Sequence, residues 1–256
     1  MAFLQCEIFS DSLGKCCSFH AIVPQKVQNQ IGMTSSGGRA SYPVLYLLHG
    51  LSDNHTIWSR RTSIERYAAE YNVVIIMPDG GRSFYADMQN GAGKYWTFIS
   101  EELPEIVKGM FPVSHKLSDT YAAGLSMGGY GALKLALSKH YAMGASLSGA
   151  VDMASRMEGT DRSWELHLIF GSKKEMVAAG GDLFSLADEC KKSGQTPKIY
   201  SVCGTEDFLY EDNLRFKRHL EALRWPDFTY EEFPGTHNWE FWDHHIQRAL
   251  KLMFQP

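Results

Sequence analysis

Five short apolar runs, each closed by glycine or turn residues, constrain this chain more than any other feature. Val44-Leu45-Tyr46-Leu47-Leu48 lies between Pro43 and Gly50, and Val73-Val74-Ile75-Ile76-Met77 ends at Pro78-Asp79-Gly80-Gly81. Residues 120–124, 145–148 and 199–203 follow the same grammar. A strand that is apolar at every position, instead of every second one, is buried on both faces, as in a parallel sheet covered by helices on both sides. Between the runs the period is helical. Leu103, Ile106, Val107 and Met110 fall at i, i+3, i+4, i+7, and Tyr130, Leu133 and Leu137 share one face. Phe216, Leu220 and Leu223, then Trp239, Trp242, Ile246 and Leu250, continue the series. Strand and helix therefore alternate from about residue 43 onward, which argues an α/β architecture with a mostly parallel sheet.

The first forty residues read differently. Phe3, Cys6 and Ile8, then Phe19, Ala21 and Val23, alternate with polar residues and suggest an antiparallel start to the sheet. The segment 25–41, centred on Ser35-Ser36-Gly37-Gly38, reads as a surface loop making a hairpin connection. Residues 153–181 are polar and less regular; they are expected to form a cap above the C-terminal edge of the strands. One large sheet absorbs 256 residues without splitting, so 1–256 is expected to be a single domain.

Charge and cysteine usage exclude several function classes. Lys and Arg total 25 against 29 Asp and Glu, with no long run of like charge, so there is no footprint for nucleic acid. The five cysteines, Cys6, Cys16, Cys17, Cys190 and Cys203, form no CxxC pair and fit free thiols in a reducing compartment. The chain opens without an export signal, and no stretch of eighteen apolar residues suggests a membrane span. A cytoplasmic protein is expected, and a homo-oligomer stays open.

The chemistry concentrates at Gly124-Leu125-Ser126-Met127-Gly128, where an apolar strand gives way to a helical pattern. This pattern alone arises by chance roughly 0.2 times in such a chain at ordinary residue usage, so its placement carries the argument. A serine at the apex of a strand-to-helix turn has a strained backbone, and the flanking glycines remove Cβ atoms that would collide there. Its hydroxyl becomes a nucleophile only when a base takes the proton, and a carboxylate must orient that base. In an open parallel sheet both should follow later strands, in the order serine, acid, histidine. Gly204-Thr205-Glu206-Asp207 follows the fifth apolar run and offers Asp207, with Glu206 as its competitor.

Ten histidines compete for the base. His20, His49, His55, His115, His140 and His167 precede the acid. His219 sits in an amphipathic helical pattern, and His244 and His245 fall inside the last helix. His237, in Phe233-Pro234-Gly235-Thr236-His237, lies in a loop after the last alternating run and is the favoured base. An acyl oxyanion also needs two backbone donors. Met127 N–H, at the start of the helix, and Leu51 N–H, in the loop Leu48-His49-Gly50-Leu51-Ser52, are the candidates. Tyr95, Trp96 and Phe98, after a turn at Gly91 and Gly93, either line an acyl or aryl pocket or pack in the core.

The stretches PVLYLLHGL at 43–51, Trp58, Glu102-Leu103-Pro104, GLSMGGYGA at 124–132, Gly204-Thr205-Glu206-Asp207 and His237-Asn238-Trp239 resemble the esterases of the tributyrin esterase and esterase D group. More distantly they resemble feruloyl and acetylxylan esterases. The resemblance spans residues 42–245. It implies the α/β-hydrolase fold, with a mostly parallel, roughly eight-stranded sheet, helices on both faces and a small cap. It also implies Ser126, Asp207 and His237 as a triad, Leu51 and Met127 as oxyanion donors, and Asp207 in preference to Glu206. S-formylglutathione hydrolases of the esterase D branch usually carry a cysteine shortly after the HGL stretch; here Ser52-Asp53-Asn54-His55 follow. The expected activity is hydrolysis of short-acyl esters, a small-molecule substrate class, without cofactor or metal. Feruloyl, acetyl-sugar and glutathione thioester substrates, acyl transfer, and a non-catalytic binding module of the same fold stand as alternatives.

Overall fold

The computed structural model describes residues 1–29, 31–32, 37–158 and 161–255. Among the described residues, eight strands form one sheet: β1 (Ala2–Ser10), β2 (Lys15–Val23), β3 (Val44–Leu48), β4 (Val74–Pro78), β5 (Thr120–Leu125), β6 (Met143–Leu147), β7 (Lys198–Gly204) and β8 (Phe228–Phe233). The helices are α1 (Ile57–Arg61), α2 (Ile64–Tyr71), α3 (Tyr95–Thr97), α4 (Leu103–Met110), α5 (Met127–Lys139) and α6 (Met153–Arg156). They continue as α7 (Ser163–Phe170), α8 (Lys173–Ala178), α9 (Leu183–Ser193), α10 (Tyr210–Ala222) and α11 (Trp239–Phe254). A π-helical stretch, Phe98–Glu102, joins α3 to α4.

The strand order is β1-β2-β4-β3-β5-β6-β7-β8. β2 pairs antiparallel with both β1 and β4, and every pairing from β4 through β3 to β8 is parallel. This is the expected α/β-hydrolase arrangement. The expected antiparallel start is present as the β1–β2 hairpin, closed by a turn at residues 11–14 in which Gly14 takes φ 65°. Segment 25–41 is not a hairpin connection. β4 lies between β2 and β3, so the segment carries the chain past a strand not yet formed in sequence. Ser35 and Ser36 at its expected centre lie outside the described residues.

The central strands are apolar throughout because both faces are covered. Val44, Tyr46, Val74, Ile76 and Ala122 pack with α4, α5, α9 and α10; Leu45, Leu47, Ile75, Ala123 and Leu125 pack with α1, α2 and α11. α5 sits almost entirely inside the protein, and its interior includes Lys134, 2% exposed. The Lys134 Nζ lies 4.1 Å from the Trp96 ring centroid and donates to the Tyr85 carbonyl at 3.5 Å. Burial lowers its pKa to about 7, opposed in part by the nearby Asp87 charge. Below that value the ammonium is charged in both folded and unfolded chains, and the folded state bears the whole desolvation cost. As pH rises from 7 toward the ordinary lysine range, only the unfolded chain keeps the proton, and stability increases. Lys134→Met is therefore expected to raise the melting temperature, and by more at pH 6 than at pH 9; an equal gain at both would contradict the buried-ammonium account.

Candidate active site

Ser126 is the single residue between β5 and α5. Its φ of 53° and ψ of −118° are strained for a residue with a Cβ. The turn is held from several sides: Ser126 N–H donates to the Leu147 carbonyl at 3.0 Å, while its own carbonyl accepts from Tyr130 N–H at 3.2 Å and Ala150 N–H at 3.0 Å. Here the two glycines have a direct steric reason. A Cβ on Gly124 would strike the Gly128 carbonyl, and one on Gly128 would strike the backbone of Leu48 and His49. Because the obstacles are backbone, no side-chain adjustment relieves them. The serine hydroxyl emerges at the border of a cavity of about 720 Å³.

β7 and β8 supply the neighbouring groups. Asp207 follows the end of β7, its N–H donating to the Gly204 carbonyl at 3.1 Å. The Asp207 side chain is fully buried, and its Oδ1 accepts Leu209 N–H at 2.8 Å. Its Oδ2 accepts His237 Nδ1–H at 2.8 Å. A carboxylate in that position fixes the proton on Nδ1 and leaves Nε2 free to accept another. The imidazole is further held by the rings of Phe208 at 4.5 Å and Trp242 at 4.8 Å, centroid to centroid. His237 borders the same cavity as Ser126. Glu206 is occupied elsewhere, its Oε2 accepting Gly235 N–H at 2.8 Å.

The other histidines of the second half of the chain have different surroundings. His219 pairs with Asp188 at 3.1 Å. His245 lies against the rings of Phe233 and Phe241, and burial lowers its pKa to about 4.

The loop after β3 reaches the serine from the other side. A Cβ built on Gly50 would lie 3.8 Å from Ser126 Cβ and 2.7 Å from Leu125 Cδ1, so a glycine lets this loop come close without displacing the Leu125 side chain. Leu51 borders the cavity. Met127 is the first residue of α5, where helix N–H groups have no intrahelical acceptor. Among the described residues, no group of three or more His, Cys, Asp or Glu is arranged to hold a metal ion.

A strained serine, a carboxylate-oriented imidazole and a close-approaching glycine loop meet at the C-terminal ends of parallel strands. The model of the family described as putative esterase matches residues 25–253. The chain belongs to that esterase family. An acetyl esterase from Caldicellulosiruptor saccharolyticus is 30% identical over 271 residues, spanning 99% of this chain and 98% of the relative. Among solved structures, FphF, a fluorophosphonate-binding serine hydrolase of Staphylococcus aureus, superimposes with a TM-score of 0.87 at 33% identity, covering 100% of this chain and 99% of that one. An S-formylglutathione hydrolase, FrmB, from Staphylococcus aureus gives 0.84 at 33% identity, with 99% of each chain covered. The protein is a carboxylic ester hydrolase of the serine type, in keeping with the resemblance carried by its HGL and GLSMGGYGA stretches.

The esterase cavity is walled by residues from widely separated segments. Phe84, Met153, Leu166, Phe208, Trp239 and Trp242 make it largely apolar near Ser126. Arg82 spans its rim: Nε and a terminal nitrogen donate to the two Glu165 carboxylate oxygens on α7 at 2.7 and 2.8 Å, and the other terminal nitrogen donates to the Leu51 carbonyl at 3.4 Å. α6 is tied down by Arg156 to Asp212, and its N-cap residue Asp152 accepts from Arg215 Nε at 2.7 Å.

Trp96 and Tyr95 do not line this cavity. Trp96 faces Lys134 in a separate cavity of about 240 Å³. Tyr95 packs against Gly81 and Gly93, where a Cβ would meet its ring or hydroxyl at 3.1 and 2.7 Å. Phe98 is core, 1% exposed. Two of the true wall residues stood beside the candidate triad in sequence, Phe208 next to Asp207 and Trp239 two after His237. Met153 and Leu166 fall within the segment 153–181 expected as a cap, whereas Phe84 carried no such signal.

Proposed function

We propose that this esterase hydrolyses short-acyl esters through an acyl-enzyme on Ser126. The observation that carries the reading is the 2.8 Å pair of His237 Nδ1 and Asp207 at the border of the cavity into which the strained Ser126 turn opens. In this reading His237 Nε2 takes the Ser126 hydroxyl proton as Oγ attacks the ester carbonyl carbon. Asp207 holds the imidazole in the required tautomer and stabilises the imidazolium. The N–H groups of Leu51 and Met127 stabilise the oxygen that gains the charge. Collapse breaks the ester C–O bond, and the departing alkoxide takes the proton from His237. Water, deprotonated by the same imidazole, then attacks the acyl-enzyme; the Oγ–C bond breaks, the carboxylic acid leaves, and His237 returns the proton to Ser126 Oγ.

Segment 153–181 acts as a cap within a single domain. Its support is the contribution of Met153, Arg156, Glu165 and Leu166 to the cavity wall. The five unpaired cysteines support a cytoplasmic site of action. Among the described residues, no helix is long and apolar enough to cross a membrane. The name of the acetyl esterase relative supports short acyl groups.

An ester panel tests this: acetyl to octanoyl p-nitrophenyl esters, tributyrin, methyl ferulate, acetylated xylan and S-formylglutathione. Acetyl to butyryl esters are expected to give the highest kcat/KM. Each methylene that outgrows the apolar pocket should cost about 1–3 kcal/mol, roughly 10- to 200-fold in kcat/KM. Fastest turnover of octanoyl esters would refute the short-acyl assignment, and a thioester rate far above every oxygen ester would move the enzyme to glutathione chemistry.

A further inference from the structure

We infer that His49 is a positioning residue that sets the plane of the Gly50–Leu51 peptide and thereby aims the Leu51 N–H at the oxygen attached to the carbon under attack. The inference rests on the serine-esterase reading above and adds to it the group that holds one of its two donors.

His49 is 1% exposed and ends β3's extension toward the site. Its Nε2 accepts the Gly80 backbone N–H at 2.9 Å. A backbone amide can only donate, so Nε2 carries no proton there and the ring proton sits on Nδ1. Nδ1–H is then the donor to the Gly50 carbonyl at 2.7 Å. The Asp79 carboxylate, 3.6 Å from Nε2, is farther than the amide and is itself engaged by Gly81 N–H at 2.9 Å. The ring has little freedom to turn, because the Tyr85 ring lies beside it at 5.9 Å and the Tyr85 hydroxyl donates to the His49 carbonyl at 2.9 Å.

The Gly50 carbonyl receives a second donor, Asp53 N–H at 3.1 Å. There are no cis peptide bonds among the described residues, and in a trans peptide the C=O and the following N–H point in opposite directions. With the carbonyl held toward His49 and Asp53, the Leu51 N–H points away from them. A Cβ built on Gly50 would lie 3.8 Å from Ser126 Cβ, so this peptide stands beside the nucleophile and a donor on its side away from His49 is placed to serve the reacting centre. Glycine leaves the peptide plane weakly restrained by itself. A flipped plane would present a carbonyl oxygen to a developing oxyanion, replacing attraction with repulsion. His49 therefore supplies the restraint that the glycine at this close approach cannot.

The test compares His49→Leu, His49→Asn and His49→Gln. Asparagine carries its amide nitrogen at the position of Nδ1 and can donate to the Gly50 carbonyl; glutamine reaches instead toward the Nε2 position and Gly80. Each variant is assayed for kcat and KM on p-nitrophenyl acetate, for inhibition by phenylboronic acid, whose tetrahedral serine adduct places an oxygen at the oxyanion position, and for melting temperature. His49→Leu is expected to lose about 10²-fold in kcat, the size of one lost oxyanion donor, with KM within threefold and boronic acid affinity falling in step with kcat. His49→Asn should recover at least tenfold of that loss and exceed His49→Gln by a similar factor. Should His49→Leu not fold, the Asn-to-Gln ratio decides alone. Equal kcat for Asn and Gln, or a kcat loss without a parallel loss of boronic acid affinity, overturns the inference. Ser126→Ala in the same assay separates the two levels: if it stays active the serine-esterase reading falls, whereas an inactive Ser126→Ala with Asn equal to Gln removes only the role of His49.

Discussion

Ser126→Ala is expected to lower p-nitrophenyl acetate turnover by about 10⁴-fold or more, since loss of a triad nucleophile in enzymes of this type removes about 10⁶ and leaves a residual rate from the oxyanion donors and binding alone. The melting temperature should hardly move. Alanine keeps the Cβ and hence the same backbone preferences, and the bonds that hold the turn, to Leu147, Tyr130 and Ala150, are all made by the Ser126 main chain. Ser126→Gly makes the complementary point. It should be equally inactive yet more stable than the wild type, because glycine accepts φ 53°, ψ −118° without the strain of about 1–3 kcal/mol that such a conformation costs other residues. Stability would thus rise as function is lost, the signature of strain kept for catalysis. Near-normal turnover in Ser126→Ala, with unchanged circular dichroism, would mean that ester cleavage is performed elsewhere on the molecule.

The parallel core was legible because burial on both faces writes itself into sequence as unbroken apolar runs, and β3 to β7 lie within a residue or two of those runs. Spatial order was not legible in the same way. Segment 25–41 carries the glycine and serine usage of a turn, yet β2 and β3 are separated by β4, whose place in the sheet is decided by packing between elements far apart in the chain. Ser126, Asp207 and His237 could be singled out because each stands where an apolar or alternating run meets turn residues, and the fold brings such strand ends together. Cavity walls have no comparable mark. They depend on where helices come to rest, and aromatic side chains near a glycine-rich turn serve a core equally well. Trp96 illustrates this: its ring covers Lys134, a charge in the interior of α5 that interrupts an otherwise apolar helix face. That interruption was the readable sign that some aromatic or acidic partner had to meet it.

Asp207→Asn should cost about 10⁴-fold in kcat, the loss seen when a triad carboxylate becomes an amide and the imidazole adopts the wrong tautomer. The carboxylate is an acceptor at both oxygens, toward Leu209 N–H at Oδ1 and His237 Nδ1–H at Oδ2. Leu209 N–H keeps the amide oxygen on its own side, which turns the NH₂ group toward the histidine. His237 must then accept at Nδ1 and carry its proton on Nε2, where it can no longer take one from Ser126. Packing against Phe208 and Trp242 persists, so KM and the melting temperature should change far less than kcat. Glu206→Gln is the matched control. Glu206 lies one residue away and accepts Gly235 N–H at 2.8 Å, and glutamine retains a carbonyl oxygen for that bond. Its kcat should stay within a fewfold of wild type. A crippling Glu206→Gln beside an active Asp207→Asn would shift the acid by one residue, and it would require the end of β7 to turn the neighbouring side chain, instead of Asp207, toward His237.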